Sequence, residues 1–350
     1  MQRRPTIDDA KPIWQTLLIF LVPLMLSNVL QSASATINTV YLGRMIGVQA
    51  LAAVSAFFPL QFFLFSFFIG ISSGSTVLIG QAYGAHDIDR VKAIAGTTIS
   101  VAIGIGVFVG LLGSVLTEPI LTLVRTPPDI FDLSVQYARI IFLCLPVFFV
   151  YFAYTTFVRG VGDSKTPFYF LIVSTLLGFV LTPAFIRGWF NFPQFGVSSA
   201  AVASTLATFI GLVGLLIVLA RRNDPLALNA DMLRHMRVRW PVLKALVKIG
   251  LPTGVQMVIV SIAEVAVISF VNRFGSVATA AYGAVNQVAS YVQFPAISIG
   301  IASSIFGAQS IGAQRFDRLR GIVRSAVALN YAIGGALIFL CYAFSWAVLG

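Results

Sequence analysis

Charged side chains are scarce in this sequence of 350 residues. Asp, Glu, Lys and Arg together make up 10% of the chain, whereas 58% of the residues are hydrophobic. A soluble domain of ordinary composition carries about 25% charged residues, which cover its surface. Most of the surface of this chain is therefore expected to face lipid, which excludes a soluble enzyme or a soluble binding domain.

Histidine and cysteine are each present only twice, which leaves little material for metal or redox chemistry. Cys144 and Cys341 both fall inside apolar runs, where they are expected to pack as small hydrophobic side chains. The sequence contains no cluster with metal-ligand spacing, no phosphate-binding loop and no redox cysteine pair. No cofactor is therefore expected.

One short motif resembles an enzyme signature. The segment Gly70-Ile-Ser-Ser-Gly74 fits the Gly-x-Ser-x-Gly pattern of serine hydrolases, so a membrane-embedded serine protease is the enzymatic alternative. Such a serine needs a histidine within reach, and both His86 and His235 fall in polar loops. We interpret the segment as small residues for helix packing and expect no enzymatic activity.

Long apolar runs dominate what remains, and they are long enough to cross a hydrocarbon layer of about 30 Å as helices. Nine runs predict an all-α polytopic membrane protein. They lie near residues 13–40, 51–82, 94–116, 133–158, 168–186, 197–220, 246–271, 278–307 and 322–348.

The formal net charge of +11 is distributed unevenly between the loops. Five of the 23 basic residues fall on one side of the predicted spans, and the remaining 18 fall on the side of the N-terminus. The five are Arg44, Arg125, Arg139, Arg187 and Arg273. Because cytoplasmic loops collect Lys and Arg, the N-terminus is predicted to be cytoplasmic, in a bacterial-type inner membrane. The charge is explained by topology and gives no support to a nucleic-acid partner.

The chain repeats itself at an offset of 228 residues. The segment beginning Gln81-Ala-Tyr-Gly overlies the segment beginning Gln309-Ser-Ile-Gly, and Gly47 and Ser75 overlie Gly275 and Ser303. Six spans separate one repeat from the next, and an even number gives parallel repeats related by an axis along the membrane normal.

The repeat predicts two helical lobes. The first lobe takes residues 1–220, a cytoplasmic linker takes 221–244, and the second lobe takes 245–350. The second lobe shows three of an expected six spans, so the chain is expected to be a fragment that does not transport by itself.

The motifs resemble the multidrug and toxic compound extrusion (MATE) exporters. The resemblance rests on Leu51-Ala-Ala, Gly70 to Gly74, Gln81-Ala-Tyr-Gly-Ala85, Arg159-Gly-Val-Gly-Asp-Ser-Lys-Thr-Pro167, and Ala280-Ala-Tyr-Gly283 with Gln309 to Ala313, in that order. It implies a twelve-helix antiporter of two six-helix lobes that exports lipophilic, often cationic compounds in exchange for sodium ions or protons. Some members carry an aspartate in the first helix, but this chain has Asn38 in that setting, which removes a charge from the first lobe.

Glu264 is the acidic residue that the sequence places deep inside a span. The other eleven acidic residues fall in the N-terminal segment, in loops or within about a turn of a span end. An intramembrane carboxylate is costly unless it is protonated, paired or hydrated, so it is a functional candidate by default. We predict that Glu264 binds the coupling ion, sodium or a proton; the alternative is a neutral side chain bonded to a neighbouring helix.

Polar side chains form stripes on three predicted spans. Such stripes either join helices or line a cavity; together with Glu264 they favour a cavity for small-molecule substrates. The predicted cavity-lining residues are Gln31, Ser34 and Asn38 on the first span, Gln256 on the seventh, and Asn286, Ser290 and Gln293 on the eighth.

The function that the sequence predicts is a cation-coupled multidrug antiporter, expected to be monomeric. The main alternative is an exporter or flippase of lipid-linked precursors, which usually needs a basic cavity, and the spans contain almost no Lys or Arg. A purely structural membrane protein would need neither Glu264 nor the polar stripes.

Overall fold

The computed structural model describes residues 12–189 and 192–343. Within those ranges the chain is helical, and short loops join long helices. The helices are α1 (Ile13–Met45), α2 (Val48–Gly84), α3 (Ile88–Val115), α4 (Thr117–Leu123), α5 (Phe131–Gly160), α6 (Lys165–Arg187), α7 (Ser199–Arg221), α8 (Ala230–His235), α9 (Trp240–Val271), α10 (Ser276–Gly312) and α11 (Asp317–Ala343).

The nine long helices of the described residues match the nine predicted spans, which confirms the polytopic all-α fold. Most helices start earlier or end later than the apolar runs that predict them. Helix α3 begins at Ile88 rather than near 94, because Asp87 caps it by accepting a hydrogen bond from the backbone N–H of Arg90 at 2.9 Å. The first turn of α3 contains Asp89 and Arg90 and precedes the apolar run.

The main core lies among α2, α3, α5 and α7. Stacked and edge-on aromatic rings of α2 and α5 fill its centre, and Phe68 lies parallel to Phe149 with ring centroids 4.2 Å apart. Phe57, which packs edge-on against Phe142, is fully buried. Part of the phenylalanine-rich run of α2 therefore serves the core instead of facing lipid.

A second, smaller core joins the beginning of α1 to α10 and α11. Phe20 of α1 meets Phe306 of α10 edge-on with centroids 5.3 Å apart, and Leu17, Leu24 and Ile322 pack around them. This core spans the two lobes, because α1 belongs to the first repeat and α10 and α11 belong to the second.

The two repeats meet at a crossing of α2 and α10 that has local two-fold symmetry. A Cβ atom added to Gly84 would lie within 3.0 Å of the Gln309 carbonyl oxygen, and one added to Gly312 would lie within 3.0 Å of the Gln81 carbonyl oxygen. The two contacts are related by the repeat, because adding 228 to residues 84 and 81 gives residues 312 and 309. Beyond the crossing, His86 and its counterpart Gln314 both adopt a left-handed backbone, with φ of 57° and 59°. The prediction of parallel repeats is thereby confirmed.

The segment between α7 and α9 is packed against the first turns of α3. Leu226 and Met232 are fully buried, and the backbone of His235 lies so close to Gly96 that no Cβ would fit between them. Lys92 of α3 forms an ion pair with Asp231. The hydrogen bond from Lys92 holds the pKa of the Asp231 carboxyl below its ordinary value.

Candidate functional site

Small residues bring α2 and α9 into backbone contact. Gly70 and Gly74 of α2 face Gly250 and Gly254 of α9, and a Cβ on Gly250 would lie 2.6 Å from the Gly70 carbonyl oxygen. Paired small residues four apart let membrane helices approach this closely. The Gly-x-Ser-x-Gly segment thus serves helix packing, as the sequence analysis predicts, and Ser72 at its centre is fully buried.

A matching contact joins α1 to α10. The Asn28 side-chain amide donates a hydrogen bond to Ser298 Oγ at 3.1 Å, and Ser298 is the repeat counterpart of Gly70. Gln309 of α10 also donates from Nε2 to the Gly160 carbonyl oxygen of α5 at 2.9 Å. These contacts and the α2–α10 crossing lie toward the ends where α2 and α10 finish and α9 begins; we call this region the closed end.

Away from the closed end the helices expose the same faces that they bury near it. On α9, Gly250, Gly254, Met257, Ser261 and Glu264 follow a spacing of 4, 3, 4 and 3 and share one face. Gly254 is buried, Met257 and Ser261 are half-buried, and Glu264 is exposed. The face of α9 that is buried against α2 near the closed end is therefore exposed toward the opposite side, which we call the open end. We call the space beside α2 and α9 on that side the cleft.

Asn38 and Glu264 lie at the same height in this cleft. Each stands seven residues before the end of its helix, Asn38 in α1 and Glu264 in α9, which places both about 10 Å from the helix end. Glu264 lies nearer the open end than the middle of its helix.

Two aromatic side chains that the sequence analysis does not single out lie on the α2 wall of the cleft. Phe63 and Phe67 share the face of Gly70 and Gly74 at a spacing of 4, 3 and 4, and their exposed fractions are 45% and 40%. Their rings meet edge-on at 5.3 Å. They lie between the glycine contact and the level of Glu264. The 4–3–4 spacing with two glycines is the sequence signal that could have identified them.

The polar side chains of the α1 stripe differ in how deeply they are buried. Ser27 is buried, and its hydroxyl donates to the Pro23 carbonyl oxygen at 2.7 Å. Gln31 is exposed, whereas Ser34 and Asn38 are half-buried. Asn38 accepts a hydrogen bond from Thr182 Oγ1 of α6 at 3.4 Å, so its amide is partly tied to the first lobe.

The predicted residues of the second lobe do not all face the gap between α2 and α9. Asn286, Ser290 and Gln293 share one face of α10; Asn286 and Gln293 are exposed, and Ser290 Oγ donates to the Asn286 carbonyl oxygen at 2.9 Å. Gln256 lies with Pro252 and Ile259 on an apolar face of α9 that points away from α2. The structure does not bring Gln256 together with Glu264.

Positive charge is absent from the helix segments that border the cleft. Residues 12–43 of α1, 249–271 of α9 and 276–312 of α10 contain no Lys or Arg. Glu264 is therefore the one charged residue in these three segments. Among the described residues no three His, Cys, Asp or Glu side chains come together in a way that could hold a metal ion.

Comparison with known proteins identifies close relatives. Residues 23–184 and 252–349 match the MatE family. The chain is 51% identical over 345 residues to the probable multidrug resistance protein YoeA of Bacillus subtilis, a match that covers 98% of the chain and 74% of YoeA. It is 26% identical to the probable multidrug resistance protein NorM of Thermotoga maritima, over 95% of the chain and 71% of NorM. The chain thus spans about three quarters of the length of these relatives.

A solved structure shares the fold. The outward-facing conformation of a multidrug resistance MATE family transporter of the MOP superfamily superposes with a TM-score of 0.87 at 20% identity, over 97% of this chain and 74% of that one. MATE proteins are transporters without enzymatic chemistry, which agrees with the expectation from the sequence. Since the family match covers most of the chain and YoeA shares half of its residues, the chain belongs to the MatE family of membrane transporters.

Proposed function

We propose that this protein exports lipophilic, often cationic compounds across the cytoplasmic membrane in exchange for sodium ions or protons. The observation that carries the proposal is the shared face of α9, which glycine contacts close against α2 at one end and which exposes Glu264 toward the other. The names of the relatives, which describe multidrug resistance proteins, support the substrate class.

Ion coupling follows from the cost of a carboxylate in an apolar setting. A proton or a sodium ion neutralises Glu264, and the free energy of burying the side chain then falls. The occupancy of Glu264 can therefore bias the equilibrium between a cleft that is open at one end and a cleft that is open at the other. The moving units would be the lobes, residues 1–220 and 245–350.

The chemistry of the cleft favours a lipophilic cation over an anionic headgroup. Phe63 and Phe67 offer exposed aromatic faces, which attract cations as well as apolar groups. A flippase of lipid-linked precursors would need cationic side chains to hold a pyrophosphate, and the bordering segments of α1, α9 and α10 contain none.

Dye efflux from vesicles, with the sodium and the pH gradient imposed separately, tests the proposal. We expect one gradient to drive a cationic dye against its concentration difference. Failure of both gradients to do so, in the complete gene product, would contradict coupled export.

The orientation of the protein can be tested by thiol labelling, since the proposal places the closed end in the cytoplasm. In a background without Cys144 and Cys341, Ala230→Cys introduces a thiol at an exposed position of α8. We expect no labelling by an impermeant reagent in intact cells and ready labelling after permeabilisation. Val48→Cys, which is 79% exposed at the opposite end, is the matched control that should react in both cases. The reverse pattern would invert the orientation.

A role for Asn38 in substrate handling predicts a limited defect. Asn38→Ala removes one amide from the cleft without changing a charge, so we expect up to about tenfold weaker drug binding and an unchanged ion requirement. Thr39→Ala, one residue along α1 and exposed, is the control. Drug affinity measured with and without sodium, at two pH values, checks this. An altered ion requirement would show that the first lobe holds the coupling site.

A further inference from the structure

The end of the connecting segment combines exposed basic and exposed apolar side chains. Arg237 and Arg239 are exposed, and so are Val238 and Trp240, whose exposed fractions are 52% and 72%. The basic series continues on the first turns of α9 with the exposed Lys244 and Lys248. Among the described residues none of these four cations lies within 4.0 Å of a carboxylate. The patch formed by residues 237–248 is thus positively charged, and no carboxylate in the described part of the chain neutralises it.

The patch is held at a defined position by α3. The buried hydroxyl of Thr97 donates to the Arg237 carbonyl oxygen at 3.2 Å and accepts from the Arg239 backbone N–H at 3.4 Å. These bonds use the backbone of the two arginines, so their side chains remain available. Together with the ion pair of Lys92 and Asp231, they prevent the segment from moving freely into the solvent.

The patch also lies at the boundary of the membrane. It follows the span that ends at Arg221 and includes Trp240, the first residue of the next span. Trp side chains favour the headgroup level, and juxtamembrane Lys and Arg attract anionic lipids. Exposed Val238 and Trp240, which alternate with Arg237 and Arg239 along the chain, therefore match a surface that is apolar inside and anionic outside.

We infer that residues 237–248 bind the headgroups of anionic phospholipids in the leaflet beside the closed end. The guanidinium groups of Arg237 and Arg239 contact the lipid phosphates, while Trp240 and Val238 insert at the level of the glycerol backbone. We favour a lipid phosphate over free phosphate because a bilayer also provides an apolar environment for the exposed side chains of Val238 and Trp240.

Fluorescence quenching by brominated lipids tests this inference. Replacing Trp14, Trp189 and Trp346 by Phe leaves Trp240 as the reporter among the four tryptophans of the chain. In mixed vesicles we expect brominated phosphatidylglycerol to quench Trp240 more strongly than brominated phosphatidylcholine at the same mole fraction. Each arginine replaced in Arg237→Gln and Arg239→Gln should lower this preference about fivefold.

Two controls separate the inference from general charge effects and from misfolding. The pair Arg44→Gln and Arg273→Gln removes the same charge at the open end and should leave the preference unchanged. If the first pair does not fold, Lys244→Gln with Lys248→Gln replaces it. Three results would each overturn the inference. The two brominated lipids could quench Trp240 equally in the protein with an unmutated patch, or the open-end pair could lose the lipid preference as much as the patch pair does. Excess inorganic phosphate could also displace the lipid.

Discussion

Glu264→Gln is expected to abolish uphill export while leaving a folded protein that still binds drug. The amide keeps the shape and the hydrogen-bonding capacity of the side chain but cannot gain or lose a charge. A bound ion then no longer favours one cleft state over the other, and each tenfold preference that is lost corresponds to about 1.4 kcal/mol of bias. Dye accumulation should fall to the ratio set by passive equilibrium, and drug affinity should no longer respond to sodium or pH.

Glu118→Gln is the matched control for this experiment. Glu118 is an exposed carboxylate near the open end, where its Oε1 accepts from Arg139 at 2.7 Å, outside the cleft. The control should export dye at the rate of the unmutated protein. If Glu264→Gln also exports at that rate, Glu264 is a structural side chain and the coupling site lies elsewhere.

Gly84→Ala is expected to open the closed end. Its Cβ would collide with the Gln309 backbone, which cannot rotate away as a side chain does, so α2 and α10 must move apart. Such overpacking costs about 1–3 kcal/mol, which equals about a 5- to 150-fold change in the balance between the closed and the separated end. The counterpart Gly312→Ala should have the same effect, because the crossing is symmetric.

Thiol reactivity at Ser310→Cys measures this change, since Ser310 is buried at the crossing. In a background without the native cysteines, we expect the labelling rate to rise at least fivefold, the lower limit of that range, with Gly84→Ala or Gly312→Ala. Gly300→Ala on the same helix α10 is the control, because nothing lies within 4 Å of its added Cβ. Unchanged labelling in all three variants would mean that the crossing does not keep this end closed.

The placement of the candidate site residues shows which of their features follow from the sequence. Asn38 and Glu264 stand at similar heights, each seven residues before the end of its helix, because height along a helix follows directly from residue number. The direction of a side chain is harder to infer. Gln256 is polar and lies near Glu264 in sequence, yet it is on another face of α9. Phe63 and Phe67 belong to a run of many phenylalanines. Only their spacing from the glycines at 70 and 74 indicates that they lie on the face of α2 that meets α9.

The connecting segment shows the same limit. Its composition, polar and basic from 221 to 244, predicts a linker on one side of the membrane. Composition does not predict that Leu226 and Met232 are buried or that Gly96 accepts the His235 backbone. The same segment also contains the exposed Leu228 and Leu233. The local sequence therefore does not show which of its apolar residues pack against a helix about 140 residues earlier in the chain.

By itself the sequence determined the helical class, the nine spans, the parallel repeat and the presence of one carboxylate inside a span. Each of these depends on local hydropathy, on helical periodicity or on internal sequence similarity, which can all be determined from the order of the residues. Tertiary structure alone decided that Gly70 meets Gly250, that Gly84 and Gly312 lie at one helix crossing, and that the α9 face is exposed at the level of Glu264. These contacts join residues that are 180 or more positions apart, and which faces meet depends on the packing of all the helices at once.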